Sequence, residues 1–297
     1  MLSHEEGNVR ITDKVGLIFL LAASVISTGP ALAQGPEDGP PDGIPAEASG
    51  GVLQRGVPAS NLPNHNASGS GNLIDHGGRV LPSSNTYAIW WGTGGFPSDA
   101  ESGIDALLGG LNGTTFLGVA QQYMRGAAVG SAFHTNWTDT SAPPLRSPSV
   151  STIVAEACKV IAANGRTPDP NALYLVFTSN FPRHVNYCAW HSSGTCNGTT
   201  IQVSYQPNTT GIAGCDPGNL YNCNTYSQGT RSLANVASHE FMEAITDPDL
   251  NAWYDSSGQE IGDKCAWQFS SCVNTSNNIK WQLQKEWSNS AGGCVQQ

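Results

Sequence analysis

What this sequence lacks narrows its reading first. Lys and Arg total 13 against 23 Asp and Glu, the formal net charge is -10, and no basic run occurs. A chain of that sign offers no electrostatic footprint to nucleic acid or to an anionic membrane surface. Charged residues of either sign make up only 12%. Long apolar runs are missing as well. The run over residues 15–26 falls short of the roughly 20 residues that a membrane-spanning helix needs, and no later segment is longer. No Gly-x-Ser-x-Gly elbow and no phosphate-binding loop is present, which argues against an α/β-type serine hydrolase and a P-loop nucleotide hydrolase. There is no Cys-x-x-Cys pair of the kind that holds a structural zinc, and no internal repeat.

What is present points outward from the cytosol. Arg10 and Lys14 precede the apolar run, and Ala31-Leu32-Ala33 offers a small-x-small cleavage site, so residues 1–33 read as a secretory leader. All eight cysteines lie beyond it. An even number of cysteines in an exported chain reads as disulfides, and the short spacings favour Cys188 with Cys196 and Cys215 with Cys223. Residues 34–72 are rich in Gly, Pro, Ser, Asn and Asp and carry almost no apolar periodicity, as a linker or short pro-segment would. A single globular domain is expected over residues 73–297, with ample length for one core.

Inside that domain, strands alternate with helices. Residues 86–91 (TYAIWW) and 172–178 (ALYLVFT) read as buried strands, the second as a central one, and 127–134 and 201–205 as further strands. Apolar residues at helical spacing predict helices over residues 98–111, 115–124, 149–164 and 230–245. Residues 179–200 read as a polar excursion, residues 215–223 as a stapled loop, and residues 279–287 as a returning strand. The fold class expected is α/β, a layered domain with a mixed sheet flanked by helices and disulfide-stapled loops.

The chemistry is concentrated in residues 238–265, SHEFMEAITDPDLNAWYDSSGQEIGDKC. His239 and Glu243 stand four apart and so share one face of a helix, the spacing of two ligands to one metal ion. Glu240 stands where a zincin-like metallopeptidase helix carries its general base. It also falls on the apolar face, between Val236 and Ala244, where an unpaired carboxylate would cost several kcal/mol. The familiar zinc helix is His-Glu-x-x-His, and here Glu243 replaces the second His; a carboxylate also ligates zinc. A third ligand has to come from elsewhere: Asp263 first, then Glu260, then His191. Calcium is the alternative ion, since Asp247, Asp249, Asn251, Asp255, Glu260 and Asp263 supply many oxygens. His76, His134 and His184 are weaker candidates. The bland alternative is a surface helix with a solvated His and two Glu.

The residues also resemble a known family. An HGG turn at 76–78 before a segment ending WWG, then LYLVFT, SHEFMEA with TDP, NAWY and EIGDKC stand in this order over roughly residues 74–294. In this the chain is similar to the Exordium-like, or phosphate-induced protein, family of secreted proteins, known chiefly from plants. The resemblance implies an extracellular or wall role and brings no settled activity with it. It places His239, Glu240, Glu243 and Asp263 on family motif positions. The segment after Cys265, CAWQFSSC, departs from the plant family's more glycine-rich pattern.

Two functions follow as expectations. One is an exported zinc-dependent hydrolase, a peptidase acting on peptide or protein, in which the ion activates a water and Glu240 takes its proton. The other is a non-catalytic binding protein of the cell wall, periplasm or extracellular space, with a structural metal or none, in which Trp253, Tyr254, Trp281 and Trp287 stack on a wall polymer.

Overall fold

The computed structural model describes residues 52–54 and 71–296. The expected leader, residues 1–33, lies outside the described residues, as does most of the expected linker.

Among the described residues, twelve strands and four helices follow one another: β1 (Val52–Gln54), β2 (Ile74–Asp75), β3 (Ser83–Trp91), α1 (Ala100–Gly110), α2 (Thr115–Gly118), β4 (Gly130–Asp139), α3 (Val150–Ala163), β5 (Ala172–Thr178), β6 (Tyr187–Cys196), β7 (Thr199–Pro207), α4 (Gln228–Thr246), β8 (Trp253–Tyr254), β9 (Val273–Asn274), β10 (Lys280–Trp281), β11 (Glu286–Ser288) and β12 (Gly293–Val295). Short 3-10 turns at Val119–Tyr123 and Asp263–Cys265 complete them. Six strands form one mixed sheet in the order β1-β6-β7-β5-β3-β4. β4, β3, β5 and β7 run parallel, and β6 returns antiparallel to β7. β1 then pairs antiparallel with the free edge of β6. The expected α/β class with a mixed sheet flanked by helices is the observed one.

Alternation along the central strands divides the core into two layers. Leu173, Leu175 and Phe177 of β5 and Trp90 of β3 pack on the side that holds α1 and α4. Tyr174 and Val176 of β5, with Ile89 and Trp91 of β3, face α3. All seven residues of β5 are buried, as a parallel strand covered on both faces requires. The apolar stripe of α3 (Ile153, Val154, Ala157, Val160, Ile161) lies against this second layer. Ser149 caps α3 by accepting from the Thr152 amide at 3.2 Å.

α4 is the exception to an amphipathic helix. Every residue from Ser232 to Thr246 is buried, polar and charged ones included. The surface-helix alternative therefore does not hold. The helix starts at Ser227, whose hydroxyl accepts from the Thr230 amide at 3.3 Å, and it stops at Asp247, just before Pro248.

Three local expectations differ from the structure. Residues 179–200 hold a full strand, β6, instead of a polar excursion; its two cysteines, His191 and Ser192 are buried by what packs over them, which periodicity does not reveal. Residues 279–287 do not return as one strand: β10 pairs with β9, and β11 pairs with β12. The four disulfides join Cys158–Cys196, Cys188–Cys215, Cys223–Cys272 and Cys265–Cys294, so the two short-range pairings are corrected. Cys188 and Cys196 lie on the same strand. Eight residues of extended chain separate their Cα atoms by roughly 26 Å, far beyond the reach of one bridge. Four disulfides indicate an oxidising environment, and among the described residues no helix is long and apolar enough to cross a membrane.

Candidate metal and catalytic site

The site is assembled from four segments around the second half of α4. The helix contributes His239, Glu240 and Glu243, all fully buried. β6 brings in His191 from the sheet, also fully buried. The loop after α4 turns Glu260 and Asp263 back toward the helix, and the segment of β11 adds Gln284 and Glu286.

Glu243 is central. Its Oε1 lies 3.1 Å from His239 Nε2, and its Oε2 lies 3.6 Å from His191 Nδ1. Glu240 Oε2 lies 3.4 Å from the same His191 Nδ1. Glu260 Oε2 is 3.7 Å from His191 Nε2, and Asp263 Oδ1 is 3.8 Å from His239 Nε2. The Asp263 amide donates to Glu243 Oε1 at 3.0 Å, which seats the 260–263 turn on the helix. Two groups of donor atoms draw together within 4.8 Å: His239 with Glu240 and Glu243, and His191 with Glu243 and Glu260.

The ring nitrogens are oriented from behind. His191 Nε2 contacts the Asp247 carbonyl at 3.2 Å. As its donor, Nε2–H leaves Nδ1 as a bare acceptor aimed at Glu240 and Glu243. His239 Nδ1 is held by the side-chain amide of Gln284, so that Nε2 faces Glu243 and Asp263. His191 Nδ1, His239 Nε2, Glu240 Oε2, Glu243 Oε2 and both oxygens of Glu260 have no hydrogen-bond partner among the described residues. Buried acceptors facing one another at these distances demand a cation, either protons or a metal ion.

Without a metal, the electrostatics show how strong that demand is. Burial alone would drive His191 and His239 toward neutrality; the carboxylates of Glu240 and Glu243 beside His191, and of Glu243 beside His239, override it and raise both rings to about 10. Glu243 is carried the other way: burial pushes its carboxyl up, but the two imidazoles outweigh this and hold it at about 2. Burial raises Glu240 above its usual range. Burial, with Glu243 nearby, raises Glu260 and Asp263 well above theirs, and burial does the same to Glu286.

Gly262 in the EIGDKC segment has a steric reason. A Cβ there would sit 2.5 Å from His239 Nδ1 and 3.0 Å from Glu243 Oε1, inside the site itself. The HGG and NAWY segments also meet in space. The His76 amide donates to the Ala252 carbonyl at 2.7 Å and the Gly78 amide to the Asn251 carbonyl at 3.0 Å, so the HGG turn docks on NAWY. The His76 ring stacks on Tyr254 with centroids 3.6 Å apart.

No family model matches this chain, and no curated protein or solved structure does either.

Six of the residues singled out from the sequence meet here. His239, Glu240, Glu243, Asp263, Glu260 and His191 all converge on the site. Of the oxygens named for the calcium alternative, some are engaged by other groups, while Asp247 Oδ2 and both oxygens of Glu260 have no hydrogen-bond partner among the described residues. Asp249 is engaged by Arg79 through two bonds of 3.0 Å, and Asp255 Oδ2 by Lys264 Nζ at 2.6 Å. Asp247 Oδ1 accepts from the amides of Asn251 and Ala252 at 2.6 and 2.7 Å. Trp281 and Trp287 are buried and present no face to a polymer, while Trp253 and Tyr254 are half-buried. Gln284, Glu286, the Asp247 carbonyl and Gly262 were not singled out from the sequence. EIGDKC carried a signal for Gly262, a glycine flanked by acidic candidates; Gln284 and Glu286 carried none.

Proposed function

We propose that this protein is an exported, metal-dependent hydrolase, with zinc as the ion and a peptide bond as the target. One observation carries the reading: His191 Nδ1, His239 Nε2, Glu240 Oε2 and Glu243 Oε2 are buried without a partner that donates, with His191 Nδ1 3.4 and 3.6 Å from the two carboxylate oxygens and His239 Nε2 3.1 Å from Glu243 Oε1. His239 and Glu243 would hold the ion, with Asp263 as the third ligand beside His239. This donor set of one imidazole and two carboxylates fits zinc. When bound, the ion supplies a Lewis acid that acidifies water and polarises a carbonyl.

The chain's own residues would do the rest. Glu240 stands beside the ligands but is not needed as one, and its raised affinity for protons suits a group that accepts one from water and returns it. His191, 3.4 Å from Glu240 Oε2, orients that carboxylate. The Asp247 carbonyl and Gln284 hold the two rings in place. The likeness to the Exordium-like family supports an extracellular setting, in keeping with the four disulfides.

The test is elemental mass spectrometry on the full chain purified without chelator, alongside a peptide-hydrolysis screen. About one zinc per chain is expected, lost in His239→Ala. Glu240→Gln is expected to keep the metal and abolish turnover. Undiminished turnover in Glu240→Gln would sink the mechanism, and absence of metal from the wild type would sink the site.

A second reading, a binding protein with a structural metal, draws on the enclosure of the site. His239, Glu240 and Glu243 are fully buried, and the pocket at the edge, beside Glu260, Asp247 and Tyr254, measures about 100 Å³. Full metal occupancy with no hydrolysis in the screen favours it.

A further inference from the structure

The site is enclosed partly because the chain covers it with itself. β1, three residues from the stretch preceding the domain, lies on the edge of β6 with Val52 opposite Trp190 and Leu53 opposite Ala189. Leu53 is fully buried. Its side chain packs among Cys188, Ala189, Cys215, Val236 and Trp267. Its amide points at Glu240 Oε1 from 3.4 Å, across 187 residues of sequence. Between Leu53 and Gln54 the register shifts, so the paired stretch is short.

Three features of this contact are those of a bound ligand. The pairing is edge addition by an extended segment, where main-chain bonds give affinity and one side-chain pocket gives selectivity. The pocket is apolar, and the Cys188–Cys215 disulfide ties two of its lining residues together. The main-chain group at its centre faces Glu240, the carboxylate proposed to accept the proton from water.

We propose that the groove between the β6 edge and α4 is the binding site for an extended peptide with a large apolar side chain, and that Val52–Gln54 occupies it in the intact chain. The peptide runs antiparallel to β6. Its apolar side chain fills the Leu53 pocket, and the amide nitrogen of that same residue meets Glu240. This deepens the hydrolase reading and rests on it for the role of Glu240, but the binding itself needs neither metal nor turnover. A tethered strand competes with free peptide at an effective concentration on the order of millimolar, so the intact chain holds its own site closed.

The experiment uses full-length chains carrying Glu240→Gln, in chelator, with a fluorescent peptide of residues 50–56 followed by anisotropy. Leu53→Asp, which drives the strand from its pocket, is expected to bind this peptide at least about tenfold more tightly than the chain with Leu53. A peptide with Asp in place of Leu is expected to bind neither. Hydrogen exchange at the β6 edge is expected to rise in Leu53→Asp and to fall again on adding the Leu peptide. Should Leu53→Asp fail to fold, Leu53→Ala carries the same comparison. Equal binding by both chains, no binding by a folded variant, or equal binding of the Leu and Asp peptides overturns the proposal. Because chelator is present throughout, failure here leaves the metal site standing, and a metal-free wild type leaves this groove standing.

Discussion

Gly262 shows how one position can set the site without donating to it. Its missing side chain lets the 260–263 turn close on His239 and Glu243, and the Asp263 amide then bonds to Glu243. Gly262→Ala would force that turn outward, because neither the His239 ring nor the Glu243 carboxylate is a flexible chain end free to retreat. We expect metal affinity to fall by about 10- to 100-fold, the usual effect of disturbing what orients a ligand, with a loss of about 1–3 kcal/mol in stability. Metal titration followed by a thermal melt reads both, and unchanged affinity would show that the turn is not seated as described. Gln284→Leu tests orientation from the other side. It removes the amide that holds His239 Nδ1, so metal affinity should fall while the fold persists, and circular dichroism beside the titration separates the two. The residue scale was partly legible in the sequence. His239, Glu240 and Glu243 were visible because a helix places positions i, i+1 and i+4 in a computable relation. Gln284 was invisible because its relation to His239 spans 45 residues and depends on the path of the chain between them.

Among the elements, α4 and β6 matter most. α4 was readable because its cap, its apolar positions and Pro248 are local signals. β6 was not, because its sequence, YCAWHSSGTC, mixes polar and apolar residues without a two-residue period. It is a strand because β7 pairs along it and α4 covers it. The Cys188–Cys215 bridge ties β6 to the loop before α4 and closes a separation of 27 residues. Replacing both cysteines by serine should cost about 2–4 kcal/mol by lengthening the free chain of the unfolded state. If the bridge also shapes the Leu53 pocket, proteolysis near residue 53 should quicken in that double variant. A denaturant melt with a timed digestion measures the two effects, and an unchanged melting midpoint would contradict the first.

At the scale of the whole molecule, charge and metal set the conditions for stability. On the far side of the sheet from α4, Glu156 lies buried beside Asp139 and Lys159. Burial, with Asp139 as hydrogen-bond partner, pushes the Glu156 carboxyl up to about 7. The folded chain therefore holds a proton that the unfolded chain has released, and stability falls as pH rises from about 4.5 to about 7. Asp139 acts oppositely. Hydrogen bonds from Glu156 and Lys159 outweigh its burial and hold it well below the usual range, so its contribution is lost as pH drops below about 3.8. Glu156→Gln keeps the donor toward Asp139 and removes the ionisation. Its melting temperature should exceed that of the wild type at pH 8 and match it near pH 4.5, and parallel melting curves across that window would refute the assignment. A bound metal would act on the same balance. A ligand bound only by the folded state adds about 2.7 kcal/mol at one hundred times its dissociation constant, so zinc should raise the melt and chelator lower it, and neither should act on His239→Ala.

By itself the sequence determined the elements whose rules are local. The buried strand ALYLVFT follows from an unbroken apolar run, the helix stripes of α1 and α3 and the placing of His239, Glu240 and Glu243 from a 3.6-residue period, and the stop at Pro248 from proline's missing amide hydrogen. It also determined the sign of the charge and the number of cysteines. Only the tertiary structure decided which cysteines pair, that His191 arrives on a strand to complete the acceptor cluster, that Gln284 and Glu286 stand behind it, and that Leu53 closes it. Those are contacts between residues tens to hundreds of positions apart, 187 in the case of Leu53 and Glu240. Such contacts form because the sheet order and the packing of α4 bring their surfaces together, and no local period encodes that order.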